Sequence, residues 1–366
     1  MCRGSVSAAP AYTNRGKHMK TKTAGNKGLS LVLLIAGAAA CVGALALDFM
    51  GSKASFRGPL LVIGIVAVFA GLYLFPTLEH HRKIVYIIFL FPLLFTFVVT
   101  VIIPLVLGIF YSMTDWTGIQ FTQFVGLSNY TAMFKDPAFL WSVLITFLFV
   151  AINMVLVNVV AFLLALLCTS GIKGDSFFRA AYFLPNLIGG IVLGYIWQFV
   201  FNQVLINVTQ ISWLVQTKTA LMAIVIVYVW QYAGYIMLIY ITGLTQVPKD
   251  VLEAASIDGA NASQTLFQIK MPMIASTFTI CTFLTLTSAF KQFDVNLALT
   301  GGTGSVQFLG NYLTNGTQML ALNIYNTAVS KNNYSLGQAK AVLFFIILAC
   351  VSLVQVRVSN KREVEL

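Results

Sequence analysis

The chain has 366 residues, of which 58% are hydrophobic and only 9% are charged, and its mean hydropathy is +0.87. Soluble domains carry about 25% charged residues, so this composition excludes a soluble protein and predicts an integral membrane protein. The formal net charge of +11 does not indicate nucleic-acid binding, because the basic residues lie in short flanks beside apolar stretches rather than in a domain of their own.

The chain begins with a polar and basic tail, residues 1–28, which is predicted to be disordered and cytoplasmic, with Met19 as an alternative start. Two apolar stretches follow at Leu29–Leu47 and Leu60–Leu78. The first is long, and the second follows it closely, so the pair (residues 29–78) is predicted to form two retained spans and not a cleaved signal peptide. The link Glu79–Lys83 contains two adjacent histidines but no third ligand nearby, and it is therefore predicted to be an interfacial basic cluster rather than a metal site.

Six further apolar stretches predict a six-span core at residues 84–356, followed by a short cytoplasmic tail at residues 357–366. The expected fold class is an all-α integral membrane protein with eight transmembrane helices, of which two precede the six-helix core. The six core spans are predicted at Ile84–Phe110, Trp141–Leu167, Phe177–Phe201, Thr219–Gly243, Ile274–Phe293 and Ser335–Val356.

The distribution of basic residues predicts the orientation of these spans. If both termini are cytoplasmic, 15 of the 22 lysines and arginines lie on the cytoplasmic side, which agrees with the positive-inside rule. This orientation also places the polar loop at residues 248–273 in the cytoplasm.

Several kinds of chemistry are missing from the sequence. The five cysteines are scattered without metal or redox spacing, and no Gly-x-x-x-x-Gly-Lys-Ser/Thr phosphate loop occurs. No predicted span carries an ionisable residue near its centre, where such a group usually marks a proton or ion path. The chain is therefore expected not to be an enzyme, to bind no metal or cofactor itself, and to receive its energy from a partner.

The polar island Glu253–Pro272, EAASIDGANASQTLFQIKMP, lies between two apolar stretches and has helical signals of its own. Pro248, Lys249 and Asp250 indicate a helix start, and Asp258-Gly259 indicates a turn. A second short helix is expected to end at Pro272. Such a helix–turn–helix unit would present a knob to a cytoplasmic partner.

This segment resembles the EAA loop of permease subunits of binding-protein-dependent ATP-binding-cassette importers, and the string IDGA is typical of their carbohydrate branch. The family pattern is Glu-Ala-Ala, three residues, Gly, nine residues, Ile, any residue, Leu and Pro. This chain matches it except that Met271 replaces the Leu, which is a volume-conserving exchange. The strings FFRAAYFLPNLIGG and LALTGGTG extend the resemblance over roughly residues 84–366, although the second lacks the proline usual in that turn. The residues that the resemblance assigns to ATPase coupling are Glu253, Ala254, Ala255, Asp258, Gly259, Ile269 and Pro272.

The resemblance implies a multi-pass subunit of the bacterial plasma membrane that works by alternating access. Its partners would be a second permease subunit in a heterodimer, two ATPase subunits that bind ATP-Mg, and an extracellular solute-binding protein. The segment Tyr111–Leu140 resembles the external loop that faces this binding protein in the family.

Neutral polar and aromatic side chains recur at helical spacing on two spans, and they are candidates for substrate contacts. Hydroxyl and amide groups suit sugar hydroxyls because both donate and accept hydrogen bonds, whereas packing between spans is the alternative role. The candidates on the span Thr219–Gly243 are Tyr228, Gln231, Tyr232 and Tyr235. Those on the span Ile274–Phe293 are Thr285, Ser288 and Gln292. The resemblance to the maltose-type permease places sugar contacts at the same positions with one exception: it selects the position of Ala289 in this chain and not that of Ser288.

Three other functions remain open at this stage. The importer could carry another small solute such as glycerol phosphate, or the chain could be a self-contained channel or secondary carrier. A membrane-embedded enzyme would need an acid/base or metal constellation in the spans, and none is found. The sequence does not specify which sugar is carried, or its length.

Overall fold

The computed structural model describes residues 27–49, 56–74, 82–120 and 123–360 of the chain. The predicted tails, the two histidines and the loop between the first two predicted spans lie largely outside these residues. The chain divides into two compact units, Met1–Val99 and Thr100–Leu366, which are described separately.

The first unit contains the helices α1 (Lys27–Phe49), α2 (Arg57–Leu74) and α3 (Arg82–Phe97). Helices α1 and α2 approach closely, because a Cβ placed on Gly37 would lie only 2.8 Å from the carbonyl oxygen of Gly64. The Ser30 hydroxyl donates a hydrogen bond of 2.7 Å to the Gly71 carbonyl oxygen. Small residues at such an interface allow backbone contact between helices in lipid, so these two helices form a tight hairpin.

The second unit is also helical. Its helices are α4 (Ile103–Ser112), α5 (Ser128–Lys135), α6 (Pro137–Thr169), α7 (Asp175–Leu187), α8 (Gly190–Phe199), α9 (Ile206–Thr209), α10 (Thr217–Gln246), α11 (Lys249–Ile257), α12 (Ala262–Gln264), α13 (Met271–Met273), α14 (Ala275–Phe290), α15 (Leu320–Tyr325) and α16 (Tyr334–Asn360). Single π-helical turns occur at Val98–Ile102, Val200–Leu205, Thr265–Lys270, Asn296–Thr300 and Asn326–Ser330.

One small antiparallel hairpin departs from the predicted all-α fold. Its strands are β1 (Val306–Phe308) and β2 (Asn311–Leu313), with Val306 opposite Leu313. The hairpin belongs to the segment 294–334, which connects the predicted spans Ile274–Phe293 and Ser335–Val356, and this segment also contains α15 and two π-helical turns.

Six helices among the described residues are long and apolar enough to cross a membrane, or seven if one bent helix pair counts as a span. They are Gly28–Leu47, Phe89–Ser112, Pro137–Thr169, Gly190–Thr209, Thr217–Gln246 and Tyr334–Val358, and the bent pair is Ala262–Met273 with Ala275–Phe290. The second predicted span corresponds to α2, whose apolar part, Gly58–Gly71, is shorter than a full span. The structure thus supports an all-helical membrane protein with six or seven candidate spans.

The predicted fifth span, Phe177–Phe201, is wrong as a single helix. Helix α7 ends at Leu187, Ile188 has extended backbone angles, and α8 begins at Gly190. Pro185 near the end of α7 and the glycine pair that follows it weaken helical continuity. The candidate span therefore starts at Gly190 and continues beyond the predicted end at Phe201 to Thr209.

Helices α6, α10 and α14 form the core of the second unit. Phe149 on α6 packs edge-on against Tyr228 on α10, with ring centroids 5.2 Å apart. A buried polar bridge crosses the same helices, because the Tyr240 hydroxyl donates to Asn158 Oδ1 at 2.9 Å and Asn158 Nδ2 donates to Thr285 Oγ1 at 3.3 Å. The three spans are joined by hydrogen bonds as well as by packing.

A buried lysine joins α16 to its neighbours. Lys340 is 1% exposed, and its Nζ donates to Asn323 Oδ1 at 2.8 Å and to Thr327 Oγ1 at 2.9 Å. It also pairs with Asp136 Oδ2 at 3.3 Å, while Asp136 Oδ1 caps α6 by accepting from the Ala138 amide. We refer to Lys340, Asp136, Asn323 and Thr327 as the lysine cluster.

Candidate functional site

The first limb of the polar island is helix α11, which begins at Lys249, directly after Pro248, as the sequence predicts. It ends in the predicted turn, where Gly259 has φ of +78° and the Ala260 amide donates to the Ala255 carbonyl oxygen at 2.9 Å. A positive φ is accessible to glycine at little cost, and this is the reason for glycine at this position.

The second limb begins with a capping box that the sequence analysis did not identify. The Gln264 amide donates to Asn261 Oδ1, and the Asn261 amide donates to Gln264 Oε1, both at 2.8 Å. The limb continues through Pro272 to Met273, so the expectation that Pro272 ends it is wrong by one residue. The chain then bends by 72° into α14, with Ile274 at the bend.

We call residues 248–273, to which the sequence analysis assigns the contact with an ATPase subunit, the coupling segment. Among its predicted coupling residues, Glu253, Ala254, Asp258, Gly259 and Pro272 are exposed, Ile269 is half-buried and Ala255 is buried. Two large apolar side chains that the sequence analysis did not select are also exposed: Ile257 by 86% and Phe267 by 61%. Both side chains are free to contact another surface.

A pocket of about 350 Å³ lies between α10 and α14, and we call it the central pocket. Four of the seven predicted substrate residues line it: Tyr232, Tyr235, Ser288 and Gln292. The other lining residues are Leu284, Thr287, Lys291, Phe293 and Asp294. The structure therefore brings both predicted stripes to one cavity.

The other three predicted substrate residues are buried behind the pocket wall. Tyr228 is fully buried, and its hydroxyl bonds to Ser288 Oγ at 2.8 Å while its ring stacks on Tyr232. Thr285 is 1% exposed and accepts the hydrogen bond from Asn158. Gln231 is buried, with Nε2 at 3.5 Å from the Ile188 carbonyl oxygen. The sequence stripe thus combines lining residues with residues that pack the spans together.

Gln292 has an orphaned donor. Its side chain is only 5% exposed, and its Nε2 atom has no hydrogen-bond partner among the described residues. A buried polar group without a partner costs about 1–3 kcal/mol. Because Gln292 lines the central pocket, a hydroxyl oxygen of a bound molecule could satisfy it.

Two charged residues in the central pocket were not anticipated. Lys291 and Asp294 are exposed and line it, so its lining is not purely neutral. The Asp294 side chain packs against the start of α8, where a Cβ placed on Gly190 would lie 2.7 Å from the Cβ of Asp294. The sequence shows both charges at the end of the predicted span Ile274–Phe293. Only the fold shows that they border the central pocket.

Comparisons with known proteins agree with this architecture. The profile of the family described as "Binding-protein-dependent transport system inner membrane component" matches residues 158–364, which is more than half of the chain. The chain is 42% identical over 288 residues to the probable starch degradation products transport system permease protein AmyD of Thermoanaerobacterium thermosulfurigenes, covering 77% of this chain and 96% of that protein.

Two more similarities are informative. The multiple sugar-binding transport system permease protein MsmF of Streptococcus mutans is 32% identical over 270 residues, which cover 71% of this chain and 90% of that protein. Among solved structures, a bacterial ABC transporter involved in import of the acidic polysaccharide alginate has a chain that aligns with a TM-score of 0.66. That alignment covers 77% of this chain and 97% of the other at 16% identity, so it supports the fold alone.

Proposed function

The chain belongs to the family of binding-protein-dependent transport system inner membrane components, and from this membership we propose that it carries oligosaccharides as the permease subunit of an ATP-driven importer. It is a transport subunit and not an enzyme. The observation that supports the substrate class most directly is the orphaned Gln292 donor in a pocket lined by tyrosine rings and hydroxyls. Two relatives are named for the transport of starch degradation products and of multiple sugars, and these names also favour a sugar as the substrate.

In this proposal the sugar binds in the central pocket. Gln292 Nε2 and the hydroxyls of Ser288 and Tyr235 bond to sugar hydroxyls, and the Tyr232 ring lies against an apolar sugar face. Tyr228, Gln231 and Thr285 hold the shape of the wall through their own hydrogen bonds. Alternating access exposes this pocket first to one side of the membrane and then to the other.

Energy enters through the coupling segment. Glu253, Ala254, Ala255, Asp258, Gly259, Ile269 and Pro272 form the unit that docks on an ATPase subunit. The exposed Ile257 and Phe267 side chains supply apolar contacts for this docking. Closure of the ATPase subunits around ATP-Mg moves this unit, and the spans attached to it follow.

The remaining partners and the topology follow from the same reading. The chain pairs with a second permease subunit, the pair binds two ATPase subunits, and an extracellular binding protein delivers the sugar. The protein spans the plasma membrane eight times, with both termini in the cytoplasm. This number counts the bent helix pair and α2 as spans in addition to the six long helices.

The proposal is tested by transport in proteoliposomes that contain the complete transporter and its binding protein. Gly259→Pro should abolish uptake of labelled maltotriose and the sugar-stimulated ATP hydrolysis, because proline cannot adopt φ of +78°. Gly171→Pro is the matched control, since Gly171 also has positive φ, at +80°, and open space around it. Glu253→Lys should uncouple hydrolysis from uptake.

The same assay separates the alternatives. If Gly259→Pro and Glu253→Lys both transport normally, the coupling segment does not transmit energy. If the chain alone moves solute without ATP, it is a self-contained carrier. If no sugar in a competition panel reduces uptake of the natural solute, the substrate class is wrong.

A second substrate class is favoured by one observation. Lys291 is an exposed cation in the central pocket, and a cation can neutralise a weakly anionic solute such as glycerol phosphate. Including glycerol phosphate in the competition panel decides between the two classes.

A further inference from the structure

A second cavity, of about 530 Å³, lies at the starts of two candidate spans, α6 and α10, and we call it the rim cavity. These two helices run in the same direction, because Phe149 contacts Tyr228 and, further along both helices, Phe162 contacts Tyr240. The rim cavity is therefore at the end of the bundle opposite to the coupling segment, which follows the other end of α10. It shares no lining residue with the central pocket.

The wall of the rim cavity changes from polar to apolar with depth. At its mouth the start of α10 contributes Gln216 and Lys218. Deeper in the bundle, Leu221 lies about 4.5 Å further along α10 than Lys218, and Leu148 lies about 10 Å further along α6 than Trp141. Helix starts of this kind lie at the membrane interface, where tryptophan is common. A polar mouth above an apolar wall matches a molecule that has a polar head and a hydrocarbon tail.

The charge at the mouth comes from Lys218 alone among the lining residues. Its side chain is exposed, and it forms no ion pair or hydrogen bond with any residue that the structure describes. Within the same described ranges, no acidic side chain lines the rim cavity. A cation in a membrane pocket attracts an anionic lipid headgroup, and its long apolar stem lets it reach from the helix towards the interface.

Hydrogen bonds between separate parts of the chain hold the mouth in shape. Thr217 Oγ1 donates to the Ser305 carbonyl oxygen at 2.7 Å, and Trp141 Nε1 donates to the Gly316 carbonyl oxygen at 2.9 Å. Gly304 approaches so closely that a Cβ placed on it would lie 2.8 Å from Thr217 Oγ1. These contacts join α6, α10 and the segment that enters β1, so the rim cavity is preformed, as binding sites usually are.

A sugar suits this cavity less well than a lipid does. The Trp141 indole nitrogen already has its acceptor, and the indole ring packs against Phe308 with centroids 5.3 Å apart. The deeper wall is aliphatic, and Leu148 is 46% exposed, so it offers dispersion contacts to a hydrocarbon chain but no hydrogen bonds to sugar hydroxyls.

We propose that the rim cavity binds one anionic phospholipid, whose acyl chain lies against Leu148 and Leu221 and whose phosphate lies beside Lys218. The lipid belongs to the leaflet opposite to the coupling segment. It connects the first turns of α6 and α10 with the segment that enters β1.

The test measures hydrogen–deuterium exchange of the complete transporter in polyoxyethylene detergent, with added dioleoyl phosphatidylglycerol or dioleoyl phosphatidylcholine. The two lipids have the same acyl chains and differ in the net charge of the headgroup. Phosphatidylglycerol should slow exchange of the amides of residues 215–218 and 305–307 about fivefold once its concentration is several times its Kd. Phosphatidylcholine should need a higher concentration to give half of this protection.

Two pairs of variants separate the contributions of charge and wall. Lys218→Gln should raise the half-protecting concentration of phosphatidylglycerol about fivefold, the effect of one cation near the membrane surface, and leave that of phosphatidylcholine unchanged. Its control Lys135→Gln, at an exposed lysine at the same end of the bundle, should behave like the wild type. Leu148→Gln should raise the half-protecting concentrations of both lipids about threefold or more, whereas Leu144→Gln, at a leucine of α6 that is equally exposed at 46%, should not.

Several results would overturn the proposal. These are no protection by either lipid, equal half-protecting concentrations of the two lipids in the wild type, and a Lys218→Gln protein that keeps the wild-type preference. Protection of the same amides by maltotriose and not by lipid would assign the rim cavity to a sugar instead. If Lys218→Gln does not assemble, the leucine pair decides, because equal protection of Leu148→Gln and Leu144→Gln would exclude a lipid in this cavity.

Discussion

Replacing Lys340 by methionine tests how strongly the lysine cluster holds the second unit together. Methionine replaces the apolar stem of the lysine, is one heavy atom shorter, and removes the charge and all three hydrogen-bonded contacts. Asn323, which is only 4% exposed, would then lose the donor to its Oδ1 atom. Asp136 would lose its ion-pair partner, although it would still cap α6 through its other oxygen.

The expected loss can be worked out from these contacts. Removing one partner of a buried ion pair costs about 3–5 kcal/mol, and the lower end applies because the Asp136 side chain is 32% exposed and can be rehydrated. We therefore expect a decrease of about 3 kcal/mol in the free energy of unfolding. For a unit of this size that corresponds to a melting temperature lower by about 6–12 °C.

The assay is thermal unfolding of the purified chain in detergent, followed by tryptophan fluorescence. Lys331→Met, at an exposed lysine nearby, is the control and should change the melting temperature little. Asp136→Asn combined with Lys340→Met should cost less than the sum of the two single changes, because the partners share one interaction. A melting temperature for Lys340→Met within about 2 °C of the wild type would refute the reasoning.

Three further changes address the packing of the spans and the central pocket. Gly234→Ala would place a methyl group against the Tyr182 carbonyl oxygen of α7, so the folded fraction in size-exclusion chromatography should fall sharply. The control Gly189→Ala, at a position with open space around it, should leave the folded fraction unchanged. Gln292→Leu removes the orphaned donor and should reduce sugar uptake about tenfold, the effect of one lost hydrogen bond of about 1.4 kcal/mol; an unchanged uptake would exclude Gln292 as a sugar contact. Asp294→Asn removes the negative charge of the pocket and should strengthen competition by an acidic sugar about fivefold at low salt; equal competition in both proteins would show that this charge does not affect selection.

The sequence predicted the membrane class and the local structure of the first limb of residues 248–273 well, because both depend on local patterns. Apolar length identifies spans, and the start at Lys249 and the turn at Gly259 follow from residue types with fixed backbone preferences. The break after Leu187 was missed because the apolar character continues through Ile188 into α8, and hydropathy does not register a change in backbone direction.

The division of the polar stripe could not have been predicted in the same way. Tyr228 and Tyr232 are one helical turn apart on the same face of α10, yet the first is fully buried and the second lines the central pocket. The difference arises from the neighbouring helices, which surround Tyr228 with Phe149 and Ser288. Lys340 shows the same effect, since the partners that allow its burial lie 13 to 204 residues away in the chain.

Two helical arms, Ala262–Met273 and α14, meet at the 72° bend at Ile274. The second limb of the coupling segment, Ala262–Met273, extends about 18 Å on one side of the bend. Helix α14, which ends two residues before Gln292, extends about 24 Å on the other side. If both arms turn together by 5°, the far end sweeps through roughly 2 Å, which is enough to break a hydrogen bond with a sugar. In the proposed function, a small tilt of the Ala262–Met273 limb would therefore displace Gln292, just beyond the end of α14, far enough to change its hydrogen bonding in the central pocket.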